Sequence, residues 1–449
     1  MIWTAYQPTA ETPWNIQRVV HLHRRASFSA PWSVIQRDLK AGPAESIARL
    51  LGGNTTDKSE GLDNLTRAIG DAAIASGNPQ RLKAWWLYQM VTTCDPLGER
   101  LALMWHSHFA TSNRKVKNLV LMKQQNELFR KHGRGRFAEL LAAVVKHPAM
   151  MLWLDADSNR KGKPNENLAR ELLELFTVGV GNFTERDVKE SARALTGWTV
   201  ISDKFENRTV RHDEGQLEIL GKSQPFTGDQ LLEMLLEHPA TARRIAWRLC
   251  KTFMSESFVA KEEGAVDELA RGLVENDLNI SWAVETILNS EAFFSESNIR
   301  SKVLGPAEYI VGLVRSLELN DPPPGTMVLA DWLTRMGLDL FYPPNVGGWN
   351  EGRAWLGSRN VIARANFAAA LCDGNLRKPT TPPNLDQFLA SHSVAGKFDA
   401  KVRWLATLLW GEVPDAEVVS EIVEKVSGEQ SKTAAALQLL LSRPENMLG

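Results

Sequence analysis

The sequence predicts a predominantly all-α protein, an irregular multi-helix globular fold with one small β-hairpin or extended-loop insertion near residues 198–220. Apolar side chains recur at the spacing of a helix face through most of the chain, as in the run LLEMLL at 231–236. The triplet His-Pro-Ala occurs at 147–149 and at 238–240, and proline is favoured in the first turn of a helix, where an N–H is not needed. The pattern therefore indicates helix after helix, with two helices beginning at these prolines.

The insertion is predicted from a local change in residue type. The runs WTVI at 198–201 and RTV at 208–210 are rich in residues that favour strands, and they flank a polar stretch at 202–207. This arrangement is typical of a small hairpin or an ordered loop between helices.

The domain organisation is predicted from the distribution of proline. The segment at 374–386 contains the run KPTTPPN, and stretches so rich in proline usually separate packed units. We therefore expect a main helical body over 1–373, a linker over 374–386, and a small C-terminal helical segment over 387–449 that packs on the body.

Composition and charge exclude several classes of protein. A content of 43% hydrophobic and 23% charged residues is ordinary for a globular chain. The 52 Lys and Arg residues balance 53 Asp and Glu residues, so there is no basic field of the kind that holds nucleic acid. No run approaches the roughly 18 apolar residues that a bilayer requires, and the start shows no leader pattern. We expect no membrane span, no nucleic-acid partner and a cytoplasmic location.

His106 and His108 form the most suggestive polar pair. Two imidazoles one residue apart can ligate a metal ion on extended backbone or at a helix end. In a regular helix their side chains point about 200° apart, so a shared ion requires a distorted or ending helix. The alternative is one histidine packed in the core and the other held by a hydrogen bond.

A second candidate is the polar stripe of the helix predicted at 164–176, which carries Glu166, Asn167, Arg170 and Glu171. One interpretation is a solvated face with ion pairs at i,i+4 spacing. The other is that the stripe faces a cleft. In that case Glu171 is a ligand or base, Asn167 supports it by hydrogen bonding, and Arg170 anchors an anionic substrate.

Three other residues bring chemistry to loops and helix ends. His212 and Asp213 supply an imidazole and a carboxylate on a predicted loop, although a plain turn in which Asp213 caps its own backbone is equally consistent with the sequence. Arg24, in the basic run HLHRR at 21–25, could recognise a phosphate, sulfate or carboxylate. Salt bridges to neighbouring helices are the alternative for Arg24.

Three of the 15 tryptophans, Trp198, Trp349 and Trp355, lie in or near predicted loops. Their rings could stack on sugar or aromatic faces, which would suit a carbohydrate-binding module. The alternative is burial in the core, where most tryptophans lie.

Several of these segments together resemble the bacterial Domain of Unknown Function 1800 family. The segments are HLHRRASF at 21–28, WHSHFA at 105–110, NENLARELLELFTVG at 165–179, ALTGW at 194–198, the pair at 212–213, the pair at 220–221, HPATAR at 238–243 and PNVGGW at 344–349. The resemblance implies one predominantly helical unit. It also implies a partner from the Domain of Unknown Function 1501 family, whose fold is similar to phosphatases and sulfatases. Many relatives in the resembling family carry export signals.

The leading hypothesis is a metal-dependent enzyme of hydrolytic or oxidative type, in which a divalent Zn, Fe or Mn ion activates water or oxygen. The site would comprise three imidazole ligands, a carboxylate ligand or base, and a guanidinium that anchors substrate: His106, His108 and His212; Glu171 or Asp213; and Arg170. The rival hypothesis is a non-catalytic binding or assembly partner of an exported phosphatase- or sulfatase-like protein.

Overall fold

The chain folds into a series of helices, described by a computed structural model over residues 2–53, 57–319 and 323–449. Within these ranges the first twelve α-helices are α1 (Ile16–Ala26), α2 (Trp32–Ala41), α3 (Pro43–Gly52), α4 (Asp57–Ala75), α5 (Pro79–Thr92), α6 (Pro96–His108), α7 (Asn113–Val116), α8 (Leu119–His132), α9 (Phe137–Val145), α10 (Pro148–Trp153), α11 (Asn167–Glu171) and α12 (Glu185–Ala194).

Twelve more helices follow a short β region. They are α13 (Gly228–Glu237), α14 (Pro239–Phe253), α15 (Glu256–Lys261), α16 (Glu263–Glu275), α17 (Ile280–Leu288), α18 (Pro306–Ser316), α19 (Thr326–Arg335), α20 (Ser358–Cys372), α21 (Leu385–Ser391), α22 (Phe398–Trp410), α23 (Ala416–Lys425) and α24 (Lys432–Ser442). The predominantly all-α class predicted from the sequence is confirmed.

The two helices expected to begin at His-Pro-Ala triplets do begin there. Pro148 opens α10 and Pro239 opens α14. In each case the preceding histidine caps the helix, because its Nδ1 accepts the backbone N–H of the alanine after the proline at 3.2 Å. These starts are encoded locally and need no tertiary contact.

The β region contains two hairpins where one was predicted. Strand β1 (Trp198–Ile201) pairs antiparallel with β2 (Lys204–Asn207), and β3 (Leu217–Ile219) pairs with β4 (Lys222–Gln224). Each hairpin turns through two residues of positive φ, as the right-handed twist of paired strands requires. The second hairpin was missed because its strands have only three residues each.

The helices share one apolar core. Buried hydrophobic side chains form a single cluster that runs from Tyr6 to Leu441. Helix α14 packs on α16, α5 packs on α4 and α19, and α24 packs on α20. No helix within the described ranges is long and apolar enough to cross a membrane.

The C-terminal helices contact the rest of the fold directly. Residues 373–384 form an irregular connection, after which α22 packs on α1 and α24 packs on α20. The division into body, linker and C-terminal segment stays a prediction.

Arg24 ties α1 to the end of the chain. Its guanidinium is buried and donates to the backbone oxygens of Leu409, Asn446 (3.1 Å) and Leu448 (2.5 Å). Burial lowers the pKa of Arg24 to about 10. The basic tip expected to recognise a phosphate or carboxylate is therefore engaged inside the protein by carbonyl groups.

We expect Arg24→Met to destabilise the fold. The substitution keeps the length of the side chain but leaves buried carbonyl oxygens without a donor, which should lower the free energy of unfolding by about 3 kcal/mol. Denaturant unfolding measures this. The control Arg186→Met removes a guanidinium that is 68% exposed and paired with Glu218, and it should cost less than about 1 kcal/mol. Equal losses in the two variants would contradict the assignment.

Candidate functional site: a charged cavity between three helices

A small cavity lies where α6, α14 and the start of α18 meet. We call it the inner cavity; its volume is about 90 Å³. Its walls come from α6 near Ser107, from α14 near Lys251, from the segment leading into α18 near Lys302, and from the loop that contains Trp349. Apolar side chains of α6 and this loop complete the lining, so the polar groups face a partly open cavity.

Two of the sequence motifs form one wall of this cavity. The PNVGGW loop lies directly on the WHSHFA turn of α6, because a Cβ atom on Gly348 would overlap the backbone oxygen of Ser107. Gly348 also has a φ of +85°, which favours glycine. The start of the same loop is held by His106, whose Nε2 accepts the backbone N–H of Phe341 at 3.3 Å.

Glu308 is the centre of the buried charges. It lies in the first turn of α18 and forms an ion pair with Arg100. It also accepts hydrogen bonds from Lys302 Nζ, at 2.8 Å, and from the backbone N–H of Gly305. Burial raises the pKa of Glu308, but Arg100 and Lys302 outweigh burial and hold that pKa well below its ordinary value. Burial lowers the pKa of Lys302 to about 8. Glu308 is therefore a carboxylate surrounded by cations.

A second carboxylate, Glu351, stands at the other side of the inner cavity. Its two oxygens lie 3.1 Å from Arg248 Nη2 and 3.2 Å from Lys251 Nζ. Ser107 Oγ donates to it at 3.4 Å. Lys251 also pairs with Glu256 at 3.2 Å. Although burial raises the pKa of Glu351, Arg248 and Lys251 bring it below its ordinary value.

Cations outnumber carboxylates around the cavity. Four cationic side chains form ion pairs with the three carboxylates: Arg100, Arg248, Lys251 and Lys302 with Glu256, Glu308 and Glu351. Three more guanidiniums act on Glu308 while donating to backbone carbonyls: Arg24, Arg25 and Arg364. In the wall of the inner cavity itself, Arg100, Lys251 and Lys302 stand against Glu308 and Glu351, and the other guanidiniums lie behind this wall, so the site has an excess of positive charge.

A wider cavity of about 300 Å³ adjoins the inner one, and we call it the outer cavity. The two share Lys251, Lys302 and Glu351 in their walls. The outer cavity is also lined by Ser257 and Arg353. The shared side chains place the two cavities on either side of one row of charges.

Comparison with known proteins identifies a family. The family described as Protein of unknown function (DUF1800) matches residues 21–448. The chain belongs to this family. No curated protein and no solved structure matches it. Every residue that lines the inner cavity lies within residues 21–448, the part of the chain that the family matches.

In this DUF1800 chain, the two histidines of α6 point into different parts of the core. His106 contacts the rings of Trp86, Phe341 and Trp349. His108 contacts Phe176 and donates from Nε2 to the backbone oxygen of that residue at 3.3 Å. Burial lowers the pKa of His106 to about 3 and, with Arg248 nearby, the pKa of His108 well below its ordinary value. Both imidazoles are therefore neutral, packed side chains.

His212 and Asp213 are held by their own neighbours in the loop. His212 Nδ1 donates to the backbone oxygen of Thr196 at 2.9 Å. Asp213 pairs with Arg193 at 2.8 Å and accepts the backbone N–H of Gly215 at 3.0 Å. Arg193 lowers the pKa of Asp213, although burial opposes this. The geometry matches the alternative in which Asp213 caps a turn.

The polar stripe of α11 faces solvent over most of its length. Arg170 pairs with Glu185 at 2.8 Å and with Glu166 at 3.1 Å, and Asn167 is exposed. Hydrogen bonds from Arg170 lower the pKa of Glu185. The stripe therefore carries ion pairs of the kind expected for a solvated face.

Glu171 differs from its neighbours on the stripe. It is half-buried, and burial together with Glu174 raises its pKa. Beyond it, α11 passes into a single π-helical turn, Leu172–Phe176, whose free carbonyl at Leu175 accepts Arg244 Nε at 2.6 Å. Such turns often mark functional positions, and the sequence pattern gave no sign of this one.

The predicted metal ligands are not brought together. His106, His108 and His212 each have separate partners, and the described part of the chain contains no group of three or more His, Cys, Asp or Glu residues placed to hold a metal ion. The metal-dependent enzyme stays a prediction from sequence. The geometry of the donor groups gives it no support.

Of the candidate residues, Trp349 and Trp355 line the inner cavity. Each of these two residues is 6% exposed, and Trp198 is 1% exposed. None of the three rings is open on the surface as a stacking platform for sugars. Sequence reasoning missed Arg100, Lys251, Lys302, Glu308 and Glu351; only Glu351, two residues beyond PNVGGW, was close to a recognised motif.

We expect the stability of the protein to fall between pH 7 and pH 5, partly because of His106. The unfolded chain binds a proton at this residue below pH 6.5, whereas the folded chain keeps it neutral down to about pH 3. The stabilisation is complete above pH 6.5 and is lost as the pH falls, by about 2 kcal/mol at pH 5. Denaturant unfolding at pH 7 and at pH 5 measures this loss of unfolding free energy, which should be smaller by this amount in His106→Asn than in the wild-type protein. The loss should be unchanged in Ser107→Ala, and an unchanged loss in His106→Asn would contradict the assignment.

We expect Gly348→Ala to disturb the cavity wall. The added Cβ overlaps Ser107 and requires a positive φ of alanine, which together should lower the free energy of unfolding by about 2 kcal/mol or more. Thermal and denaturant unfolding measure this. At the adjacent Gly347 a Cβ would approach only the side chain of Asn345, at 3.2 Å, so Gly347→Ala is the matched control. A neutral Gly348→Ala would show that the loop does not press on α6.

Proposed function

We propose that the protein binds a small molecule through an oxyanion group, a carboxylate, phosphate or sulfate, in the inner cavity. The observation that supports this is the excess of cations over carboxylates in the wall of a partly open cavity. Buried charges are normally paired, because removal from water is costly unless an opposite charge compensates it. An anionic ligand would supply the missing negative charge.

The type of cation in the wall supports the same proposal. Guanidinium donors suit carboxylate and phosphate oxygens particularly well. Arg100 lines the cavity itself.

The size of the inner cavity limits what it can hold. An engineered cavity of about 150 Å³ accepts a benzene ring, whereas the inner cavity measures about 90 Å³. It is therefore suited to a carboxylate or a tetrahedral oxyanion rather than to an aromatic ring. The indole rings of Trp349 and Trp355 restrict water at its wall, which strengthens electrostatic attraction to an anion.

Three expectations from the sequence stay proposals beside this one: a metal-dependent reaction, assembly with a protein of the Domain of Unknown Function 1501 family, and a cytoplasmic location. An anion site is compatible with each of them. A pull-down with such a partner, elemental analysis of the purified protein and fractionation of the source cells address them separately.

Calorimetric titration with phosphate, sulfate and acetate tests the anion site. At least one of these anions should bind at millimolar concentration or below, and Lys251→Met should weaken that binding about tenfold, the effect of one charge-assisted hydrogen bond. The control Lys222→Met removes a lysine that is 60% exposed on β4, and it should leave the affinity unchanged. Circular dichroism of each variant verifies folding.

Ser107→Ala provides an independent check, because it removes a hydroxyl from the cavity without changing any charge. It should weaken binding about threefold. If none of the three anions binds, or if Lys251→Met and Lys222→Met behave alike, the proposed function is wrong.

A further inference from the structure

The outer cavity has a different chemical character from the inner one. Beyond the three charged side chains that it shares with the inner cavity, its wall carries the hydroxyls of Ser257 and Ser301, the carboxylate of Glu256 and the guanidinium of Arg353. The inner cavity also has the hydroxyls of Ser107 and Thr252 in its wall, but most of its uncharged side chains are apolar. A ligand that extends from one cavity to the other passes from a mostly apolar wall with charged groups to a wall with more polar side chains.

Gly352 fixes the position of one polar group in the outer cavity. Its φ is +59°, and a Cβ atom there would overlap the carboxylate of Glu256. The absence of a side chain thus lets this carboxylate lie against the backbone of the loop. There it pairs with Lys251 at the boundary between the two cavities.

We propose that the ligand of this site is a small hydroxylated organic anion, with its oxyanion in the inner cavity and its hydroxyl-bearing carbon chain in the outer one. This inference rests on the proposed function. Hydroxyl groups of the ligand can donate to Glu256 and Glu351 and can accept from Arg353 and Ser257. Each polar group that the ligand covers therefore keeps a hydrogen-bond partner when the ligand displaces water. An apolar tail would leave these groups without partners, at a cost of about 1–3 kcal/mol for each one buried.

The volumes restrict the size of the carbon chain. Small-molecule sites commonly measure about 300–1,000 Å³, and the outer cavity, at about 300 Å³, is at the lower end of this range. A chain of a few hydroxylated carbons fits this volume. Lys251 and Glu351 border both cavities. The oxyanion and the carbon chain of one ligand can therefore be bound at the same time.

The test compares three phosphates on the full chain by calorimetry: inorganic phosphate, glycerol 1-phosphate and phenyl phosphate. We expect glycerol 1-phosphate to bind about tenfold more tightly than inorganic phosphate, and phenyl phosphate to gain nothing. Glycerate against acetate makes the same comparison for a carboxylate head and shows which oxyanion the site takes.

Variants of the outer cavity locate the effect. Ser257→Ala and Arg353→Gln alter exposed side chains of the outer wall, and each should reduce the advantage of glycerol 1-phosphate severalfold while the affinity for inorganic phosphate stays the same. Ser420→Ala on α23 and Arg186→Gln are matched controls that should change neither affinity.

The outcomes separate this inference from the proposed function. Binding of inorganic phosphate or acetate with no gain from hydroxylated chains, or a preference for phenyl phosphate, overturns the hydroxylated ligand and leaves the anion site intact. An advantage for glycerol 1-phosphate that survives both Ser257→Ala and Arg353→Gln also overturns it. If no anion in either series binds, both proposals are wrong.

Discussion

The arrangement of the site depends on the carboxylate of Glu308. It links α6, α14 and α18. Glu308 pairs with Arg100 of α6 and accepts the backbone N–H of Gly305, which caps α18. It also accepts from Lys302, which in turn donates to the backbone oxygen of Thr252 on α14. Removing one partner from a buried ionic group costs several kcal/mol, because a charge is left without compensation. The ion cluster therefore fixes where the three helices meet, and the inner cavity lies at that meeting point.

The same cluster explains why the site is positive. Arginines that bind backbone carbonyls stabilise the fold without adding a carboxylate, as Arg25 does with the oxygens of Phe253 and Asn298. Each such contact satisfies donors but leaves the charge uncompensated. Structural guanidiniums behind the wall thus add to the field of those that line the cavity. The field that an anion would experience is a consequence of how the helices are held together.

The buried imidazole of His106 stabilises a loop beside the inner cavity. His106 accepts the backbone N–H of Phe341 and so fixes the start of the loop that ends in Trp349 and Glu351. Protonation of Nε2 would abolish that hydrogen bond, which agrees with a pKa lowered by burial. The motif that suggested metal ligation thus packs both histidines in the core, and Ser107 between them lines the cavity.

The sequence by itself determined the helical class, the proline-initiated helices and a β region near 198–220, because each of these depends on periodicity or capping within a few residues. It also indicated the segments 105–110 and 344–349 as important, and tertiary structure brought these two together at Gly348. It could not determine the site, because Arg100, Lys251, Lys302 and Glu308 lie in separate helices and have no local pattern that distinguishes them from surface charges. The ion pairs of Arg170 with Glu185 and of Asp213 with Arg193 likewise depend on neighbours in space. Burial and long-range pairing convert an ordinary charged residue into a functional one, and only the tertiary packing of the helices sets both.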